Sequence, residues 1–263
     1  MNDVTARNEY ALITGASAGL GAEFARQLAA ARHNLILVAR REGRLSALAE
    51  KLRAAHKIDC QLIVADLNEP GAGAQIRSTC VSAGWQVSWL VNNAGVAGPD
   101  LLKDRDWAAQ QTFFQLMMLS VADLCHRMIP DMVERGYGRV INVASVAARV
   151  PRSGGCNYGP AKSYLVALSE ELNLTVAAQG VHVSALCPGF THTDFHDTAG
   201  LMDMKNNMAK WLWYNADVVV RDAIKGVEAG KPVVVSGRLY RWLDPIFQSV
   251  WTRRLLRIKA RPE

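Results

Sequence analysis

Long apolar runs are missing from this sequence of 263 residues. No uninterrupted apolar stretch reaches the roughly 20 residues that a membrane-spanning helix needs. The segment from Met1 to Glu9 is polar and lacks the apolar region of a secretory signal. We therefore expect neither a transmembrane helix nor secretion, and we expect the protein in the cytoplasm.

Cysteine is scarce and widely spaced. The chain has five cysteines, and no two of them have the spacing of a paired metal motif (Cys60, Cys80, Cys125, Cys156 and Cys187). An odd, scattered set argues against a disulfide framework and against a CxxC metal site. We interpret these cysteines as buried small apolar residues.

The evidence for a metal site elsewhere in the sequence is also weak. His192 and His196 stand four residues apart, with Asp194 and Asp197 nearby, which would suit a metal ion only if the segment were helical. No known zinc-binding pattern surrounds the pair, so a solvent-facing or hinge role is the more economical interpretation. We predict no metal ion.

Acidic residues are fewer than basic ones, and the formal net charge is +6. The basic residues concentrate at Arg40-Arg41 and in the tail from Arg253 to Arg261. Neither cluster matches a motif that reads DNA, so we predict no nucleic-acid partner.

Apolar stretches without polar alternation follow one another along the chain, separated by stretches with helical spacing. Such strands require a parallel sheet that is covered on both faces. The length suits one domain, and we see no linker or repeat. We predict a single α/β domain over residues 1–263, a Rossmann-type doubly wound parallel sheet. The predicted strands are Tyr10 to Thr14, Leu35 to Ala39, Gln61 to Ala65, Trp89 to Val91, Val140 to Val143, Val181 to Leu186 and Val233 to Val235. The predicted helices are Leu20 to Ala31, Leu45 to Ala55, Trp107 to Arg135, Ala161 to Ala178 and Asp217 to Gly230.

A glycine-rich stretch, TGASAGLG, joins the first strand to the first helix. Glycine lets the backbone turn tightly and approach a pyrophosphate closely, and the helix start offers N–H groups to its negative charge. Tight turns need glycine too, but the strand-to-helix context favours a dinucleotide site. The residues predicted to bind the cofactor here are Gly15, Ser17, Gly19, Leu20 and Gly21.

The end of the second strand indicates which dinucleotide binds. Rossmann sheets that bind NAD usually place an acidic residue there, whereas this chain has Ala39-Arg40-Arg41. An arginine can hold a 2′-phosphate through charge-assisted hydrogen bonds, so we predict NADP(H) with Arg40 at the phosphate. The alternative is a solvated pair of charges at a helix start.

Several motifs occur in a fixed order, and together they resemble the short-chain dehydrogenases/reductases from Tyr10 to about Val235. These motifs are the glycine turn at Thr14 to Gly21, Asp66-Leu67, Asn92 to Gly95, Ser145, Tyr158 to Lys162, and Pro188-Gly189 followed by Thr193.

The resemblance implies roles for these residues. Asp66 and Leu67 would contact the adenine. A second group (Asn93, Ala94 and Gly95) would stabilise the cofactor-facing end of the sheet, and a third (Pro188, Gly189 and Thr193) would hold the nicotinamide. The resemblance also implies a homodimer or homotetramer. Taken singly, Asp66 could be a plain cap and Pro188-Gly189 an ordinary turn.

The catalytic group can be argued from its chemistry. Reduction of a ketone needs a proton donor beside the carbonyl, and a free tyrosine exchanges protons poorly at neutral pH. Tyr158 and Lys162 are four residues apart, so on a helix the ammonium can stand near the phenol and favour its ionised form. Ser145 can orient the substrate oxygen. Pro160 is tolerated if this helix starts near Asn157.

One position departs from the family. Counting back from the strand at Val140, the asparagine that relatives carry in the long helix falls on Met117. In relatives that asparagine holds a water that links the lysine to solvent, and a thioether accepts hydrogen bonds only weakly. We predict a rerouted or slower proton supply, with Ser120 holding a substitute water if the helix is regular.

Two regions near the C-terminus are less specific. The family places a substrate lid at about residues 193–215, and its apolar side chains here favour an apolar substrate or simply pack the lid. The tail, about residues 240–263, has helical apolar spacing from Ile246 to Ile258 with arginines among it. It could pack on its own or a neighbouring subunit, or contact a membrane peripherally.

The predicted function is NADP(H)-dependent hydride transfer between the nicotinamide and a carbonyl or secondary alcohol, most simply of an apolar substrate. Two alternatives remain. One is a dinucleotide-binding regulator with little turnover, and the other is an alcohol dehydrogenase that prefers NAD(H).

Overall fold

The computed structural model describes residues 8–150, 156–192, 213–249 and 251–252. Strands and helices alternate along most of this length. The strands are β1 (Glu9–Thr14), β2 (Asn34–Ala39), β3 (Cys60–Val64), β4 (Gln86–Asn92), β5 (Gly138–Val143), β6 (Val181–Pro188), β7 (Phe190–His192), β8 (Trp213–Asn215) and β9 (Val233–Ser236). The helices are α1 (Gly19–Ala30), α2 (Glu42–His56), α3 (Ala72–Ser82), α4 (Trp107–Phe114), α5 (Ser120–Glu134), α6 (Tyr158–Val176), α7 (Ala216–Glu228) and α8 (Arg238–Gln248).

Seven strands form one parallel sheet in the order β3-β2-β1-β4-β5-β6-β9. The order reverses between β1 and β4, so a crevice opens there beyond the carboxyl ends of the strands. Leu35 to Val38 in β2 show the cause of this architecture, because each of them is fully buried and the strand has no polar face. The prediction of a doubly wound α/β sheet is confirmed.

The core lies on both faces of the sheet. One apolar cluster contains Leu12 and Leu90 and packs against α3, α5 and α6, and the other contains Ile13 and Trp89 and packs against α1, α2 and α7. All five cysteines are free thiols; Cys156 is half-buried and the others are buried. The interpretation of the cysteines as small core residues is therefore confirmed for four of them.

The long helical stretch is continuous but irregular. A π-helical turn over Gln115–Leu119 joins α4 to α5. A π-turn rotates all later residues about the helix axis. The predicted role of Ser120 depends on a regular helix, and this helix is not regular. Ser120 instead donates from Oγ to the carbonyl of Leu116 at 2.7 Å.

The structure adds elements that the sequence analysis did not predict: α3, the β7–β8 pair and α8. Helix α8 ends at Gln248, with Ser249 in an extended conformation, so the helical spacing from Ile246 continues as helix only to Gln248, and Trp251 lies beyond α8. The rest of the predicted tail helix lies outside the described residues. Among the residues that are described, no helix is both long and apolar enough to cross a bilayer.

Candidate active site

The glycine turn leads from β1 into α1 and has no room for side chains. Gly15 and Gly19 have φ of +64° and +54°, which glycine adopts without strain. A Cβ on Gly21 would lie 2.3 Å from the carbonyl oxygen of Gly15. Ala18, at the start of α1, offers no side-chain acceptor to the helix N–H groups. The turn can therefore bring backbone donors close to an anion.

Thr14 and Asn93 fasten this turn to the end of β4. Thr14 Oγ1 accepts hydrogen bonds from the backbone N–H groups of Asn93 (3.0 Å) and Ala94 (3.1 Å). The amide Nδ2 of Asn93 donates to the carbonyl of Thr14 at 2.9 Å. Asn93 and Ala94 thus join the end of β4 to the end of β1.

Both arginines after β2 contact residues that the sequence predicts to bind the cofactor. Arg41 donates to Ser17 Oγ from Nη2 at 2.9 Å, and Arg40 Nη1 lies 3.4 Å from Asp66 Oδ2. The sequence analysis chose Arg40 for the phosphate and missed Arg41, although the RR pair was a visible signal. Arg41 is the one that contacts the glycine turn.

Asp66 and Leu67 have structural roles of their own. Asp66 Oδ1 accepts from the backbone N–H of Asn68 at 3.0 Å, so the plain capping role that was left open is present. Leu67 is buried and belongs to the core cluster beside α3. Its side chain is therefore committed to packing, and only its backbone remains for a ligand.

The three predicted catalytic residues come together beyond the carboxyl end of β5. Ser145 follows this strand and begins a short 3₁₀ turn, where its Oγ accepts from the backbone N–H of Ala147 at 3.1 Å. Tyr158 is the first residue of α6, and Lys162 lies one turn later. Lys162 Nζ is 5.7 Å from the centre of the Tyr158 ring, as the four-residue spacing predicts.

Lys162 is buried at the centre of this group. Its Nζ donates to the carbonyl of Val143, the last residue of β5, at 2.7 Å. Burial disfavours the charged ammonium and lowers the pKa of Lys162 to about 8. The lysine therefore changes charge close to neutral pH.

The start of α6 confirms the interpretation of Pro160. The first helical hydrogen bond runs from the N–H of Ala161 to the carbonyl of Asn157 at 2.9 Å, so Pro160 sits in the first turn, where its missing N–H costs nothing. Gly159 has a packing role as well, because a Cβ there would lie 3.2 Å from the carbonyl oxygen of Ala147. The proline and glycine fit α6 closely onto the segment after Ser145.

Buried amides anchor α6 to the sheet. Asn92 Nδ2 donates to Asn142 Oδ1 at 2.8 Å, and Asn142 Nδ2 donates to Ser169 Oγ at 2.9 Å. This chain of hydrogen bonds joins β4, β5 and α6. The sequence analysis placed Asn92 in a motif but had no signal for Asn142 or Ser169.

Met117 lies beside the lysine. It is fully buried in the π-helical turn, and a Cβ on Gly95 would lie 3.2 Å from Met117 Sδ and 3.8 Å from Lys162 Nζ. The sulfur accepts from the backbone N–H of Val96 at 3.3 Å. The thioether of Met117 thus lies close to the lysine amine, and Gly95 leaves space for both side chains.

Helix α8 supports the segments around the site. A Cβ on Gly189 would lie 2.0 Å from Tyr240 Cε2, so the Pro188-Gly189 turn fits directly against the Tyr240 ring. Arg149, just after the 3₁₀ turn, donates to both carboxylate oxygens of Asp244 at 2.8 and 2.6 Å. No sequence signal joined these pairs.

Several predicted residues lie outside the described part of the chain. These are Thr193, most of the predicted lid (193–212), His196 with Asp194 and Asp197, and the tail from residue 253. At the described end of the lid, the Trp213 ring stacks against His192 at 5.2 Å between ring centres.

Known proteins are similar to this chain in sequence and in fold. A family model of the short chain dehydrogenases matches residues 9–203. Sulfoacetaldehyde reductase 2 of Chromohalobacter salexigens is 33% identical over 190 residues, which cover 72% of this chain and 75% of that protein.

Solved structures agree over a longer span. A short-chain dehydrogenase from Sphingobium yanoikuyae in complex with NADPH has a TM-score of 0.80 at 30% identity, covering 89% of this chain and 91% of that chain. The bulky-bulky ketone specific alcohol dehydrogenase from Comamonas testosteroni has a TM-score of 0.76 at 26% identity, covering 92% and 93%. With the motifs in order on this sheet, the chain belongs to the short-chain dehydrogenases/reductases, a family of oxidoreductases.

Proposed function

We propose that this protein is an NADPH-dependent reductase of apolar ketones, with the reverse oxidation of secondary alcohols available to the same site. The observation that carries the proposal is the meeting of Ser145, Tyr158 and a buried Lys162 beyond β5, beside the glycine turn. Hydride transfer to a carbonyl requires a proton donor next to the bound dinucleotide. Here a group that can donate a proton and a turn that can hold a dinucleotide share one crevice.

The residues present fit a dinucleotide. Gly15 and Gly21 leave a cradle that a Cβ would fill, and the start of α1 has donors for a pyrophosphate. Beyond these, the residues that would hold the cofactor are Ser17, Gly19, Leu20, Arg40, Arg41, Asp66, Asn93, Ala94, Gly95, Tyr158, Lys162, Pro188, Gly189 and Thr193. When bound, the nicotinamide supplies or accepts the hydride.

The side chains supply positioning and proton transfer. Ser145 Oγ accepts from Ala147 N–H, and its own proton remains available to donate to a substrate oxygen and orient it. The Tyr158 hydroxyl donates its proton to the oxygen that gains charge during reduction. The Lys162 ammonium stabilises the phenolate that remains. The substrate oxygen thus ends protonated, and Tyr158 regains its proton from solvent.

Arg41 and Arg40 support the preference for NADP(H). Arg41 donates to Ser17 in the glycine turn, and Arg40 faces Asp66 across the same opening. Two guanidinium groups at the end of β2 attract a 2′-phosphate, and the acidic residue that an NAD site would place there is absent from this strand end. The NADPH complex of the Sphingobium relative supports this choice.

Other features of the proposal rest on the family and the composition. The ketone specificity of the Comamonas dehydrogenase supports a ketone substrate, and the apolar residues of the predicted lid favour an apolar one. We infer a homodimer or homotetramer, by resemblance. We place the enzyme in the cytoplasm because its cysteines are free thiols.

The direct test is oxidation of NADPH by the purified protein with a panel of ketones, aldehydes and quinones. We expect turnover with apolar ketones and a higher kcat/KM with NADPH than with NADH. NADPH binding without turnover on any carbonyl would favour the regulator, and a preference for NADH would favour the NAD(H)-dependent dehydrogenase.

Cofactor choice gives a second prediction. Replacing Ala39→Asp together with Arg40→Ala adds repulsion toward a phosphate and removes an attractive partner, so preference should move toward NADH.

Arg41→Ala alone should lower kcat/KM for NADPH by about tenfold or more, the scale of one charge-assisted hydrogen bond, and should leave kcat/KM for NADH almost unaffected. Arg44→Ala, at an exposed position in the first turn of α2, is the matched control. Equal losses with both cofactors would contradict a phosphate site here.

A further inference from the structure

Helix α8 has two different faces. Its inner face fixes it to the body through Tyr240 against Gly189 and Asp244 on Arg149, and Gln248 Nε2 donates to the Arg149 carbonyl at 2.9 Å. Its outer face carries exposed aromatic and aliphatic side chains. The family model ends at residue 203, so α8 lies beyond the part of the chain that this model describes.

The outer face combines apolar and basic groups. Trp242 is 74% exposed, Ile246 is 41% exposed, and Trp251, just past the helix, is 82% exposed. Arg238 and Arg241 are exposed beside them, and Arg241 also pairs with Asp222 on α7 at 3.1 Å. We call this set of five residues the α8 surface. Two largely exposed tryptophans and an isoleucine form an apolar patch. An exposed apolar patch of this kind indicates a site of interaction with a partner.

The net charge of this part of the chain indicates the chemistry of the partner. From Arg238 to the C-terminus the sequence has seven basic and two acidic residues, a net charge of +5 out of +6 for the whole chain. One of the two acids, Asp244, is already bound by Arg149. A second copy seated on the same surface would bring two basic segments together, which is repulsive. An anionic surface is attracted instead.

We propose that the α8 surface docks on membranes that contain anionic lipids. Tryptophan favours the boundary between headgroups and acyl chains, and arginine can pair with lipid phosphates while its stem lies along apolar groups. The basic residues that follow Trp251 in the sequence add attraction to the anionic leaflet.

Docking would also orient the enzyme. Because α8 is fixed to Arg149 and Gly189, both next to predicted active-site residues, docking would bring this side of the protein close to the bilayer. This would suit an apolar substrate that dissolves in lipid. Only this consequence rests on the proposed function, whereas the docking itself does not.

The test is co-sedimentation of the full-length protein with vesicles, which needs no turnover. We expect binding to phosphatidylcholine vesicles that contain about a third phosphatidylglycerol, little binding to phosphatidylcholine alone, and weaker binding at high salt. Trp242→Ala with Trp251→Ala should weaken binding by about tenfold or more, since both interfacial anchors are lost. Arg238→Gln should weaken it by about fivefold.

Trp107→Ala is the matched control, because Trp107 is 59% exposed on α4, outside the α8 surface. It should bind vesicles as the unmodified protein does. The variants are checked for folding by thermal unfolding and for turnover with a water-soluble ketone, which should stay unchanged. If the unmodified protein shows no turnover, that result contradicts the proposed function and leaves the proposed membrane docking unaffected.

Three results would overturn the proposal. The first is an absence of binding to anionic vesicles, and the second is equal binding to neutral ones. The third is a concentration-dependent dimer that the tryptophan double variant abolishes without any vesicle binding. That last outcome would identify a second copy of the chain as the partner of the α8 surface.

Discussion

Tyr158→Phe should reduce turnover by about 10² or more while leaving NADPH binding nearly intact, the scale expected when a general acid is lost. The ring stays in place at the start of α6, 5.7 Å from Lys162 Nζ, and only the hydroxyl is removed. Steady-state NADPH oxidation measures turnover, and NADPH fluorescence titration measures binding.

Tyr164→Phe is the control for this variant. Tyr164 lies on the same helix and packs against the core rather than beside the lysine. It should keep turnover close to that of the unmodified enzyme. Near-normal turnover in Tyr158→Phe would remove Tyr158 from the proposed chemistry, whatever the control shows.

Lys162→Met should lower turnover by about 10² or more as well, because the phenolate loses its stabilising cation. Methionine keeps the apolar length of the side chain but cannot be charged. In the unmodified enzyme, kcat/KM for reduction should fall as pH rises through about 8, the value to which burial lowers the pKa of Lys162. This break in the pH profile should be missing from the variant.

The same substitution should affect stability in the opposite direction. Burial lowers the pKa of Lys162 from its ordinary 10.5 to about 8, so at neutral pH the buried charge costs the folded state about 3 kcal/mol. Between pH 8 and 10.5 the unfolded state binds more protons, so the free energy of unfolding of the unmodified protein should rise with pH. Lys162→Met should be more stable below pH 8 and should lack this rise.

Urea unfolding of the cofactor-free proteins across this pH range checks the expectation. Lys51→Met, at an exposed position on α2, is the control and should change neither turnover nor the pH dependence. A Lys162→Met protein that is active, or that unfolds at lower urea than the unmodified protein at pH 7, would contradict the assignment of a buried, charged lysine.

The main sheet and most of its helices could be predicted from the sequence because each element carries a local signal. The strands are apolar throughout and the glycine turn marks a strand-to-helix boundary. Helix α3 escaped prediction because its stretch, AGAQIRSTCVS, is rich in small and polar residues, and its larger buried side chains are only Ile76 and Cys80. The pair β7–β8 joins residues about 20 positions apart, and no local pattern encodes such a pairing.

The site divides in the same way. Ser145, Tyr158 and Lys162 could be found because spacing and chemistry point to them. The contact between Arg149 and Asp244, 95 residues apart, exists only after folding. The spacing of apolar residues indicates a regular helix and does not mark the π-helical turn at Met117. That turn determines where Met117 and Ser120 lie.

The parallel sheet has a practical consequence for handling the protein. Every strand of the main sheet enters at one edge and leaves at the other, so Glu9, at the start of β1, is at the edge opposite the glycine turn. An affinity tag or a tether to a solid support placed ahead of β1 would leave the cofactor crevice open to solution. A fusion at the other terminus would follow the basic residues that come after the α8 surface in the sequence, so proteins for the vesicle measurements should carry their tags at the N-terminus.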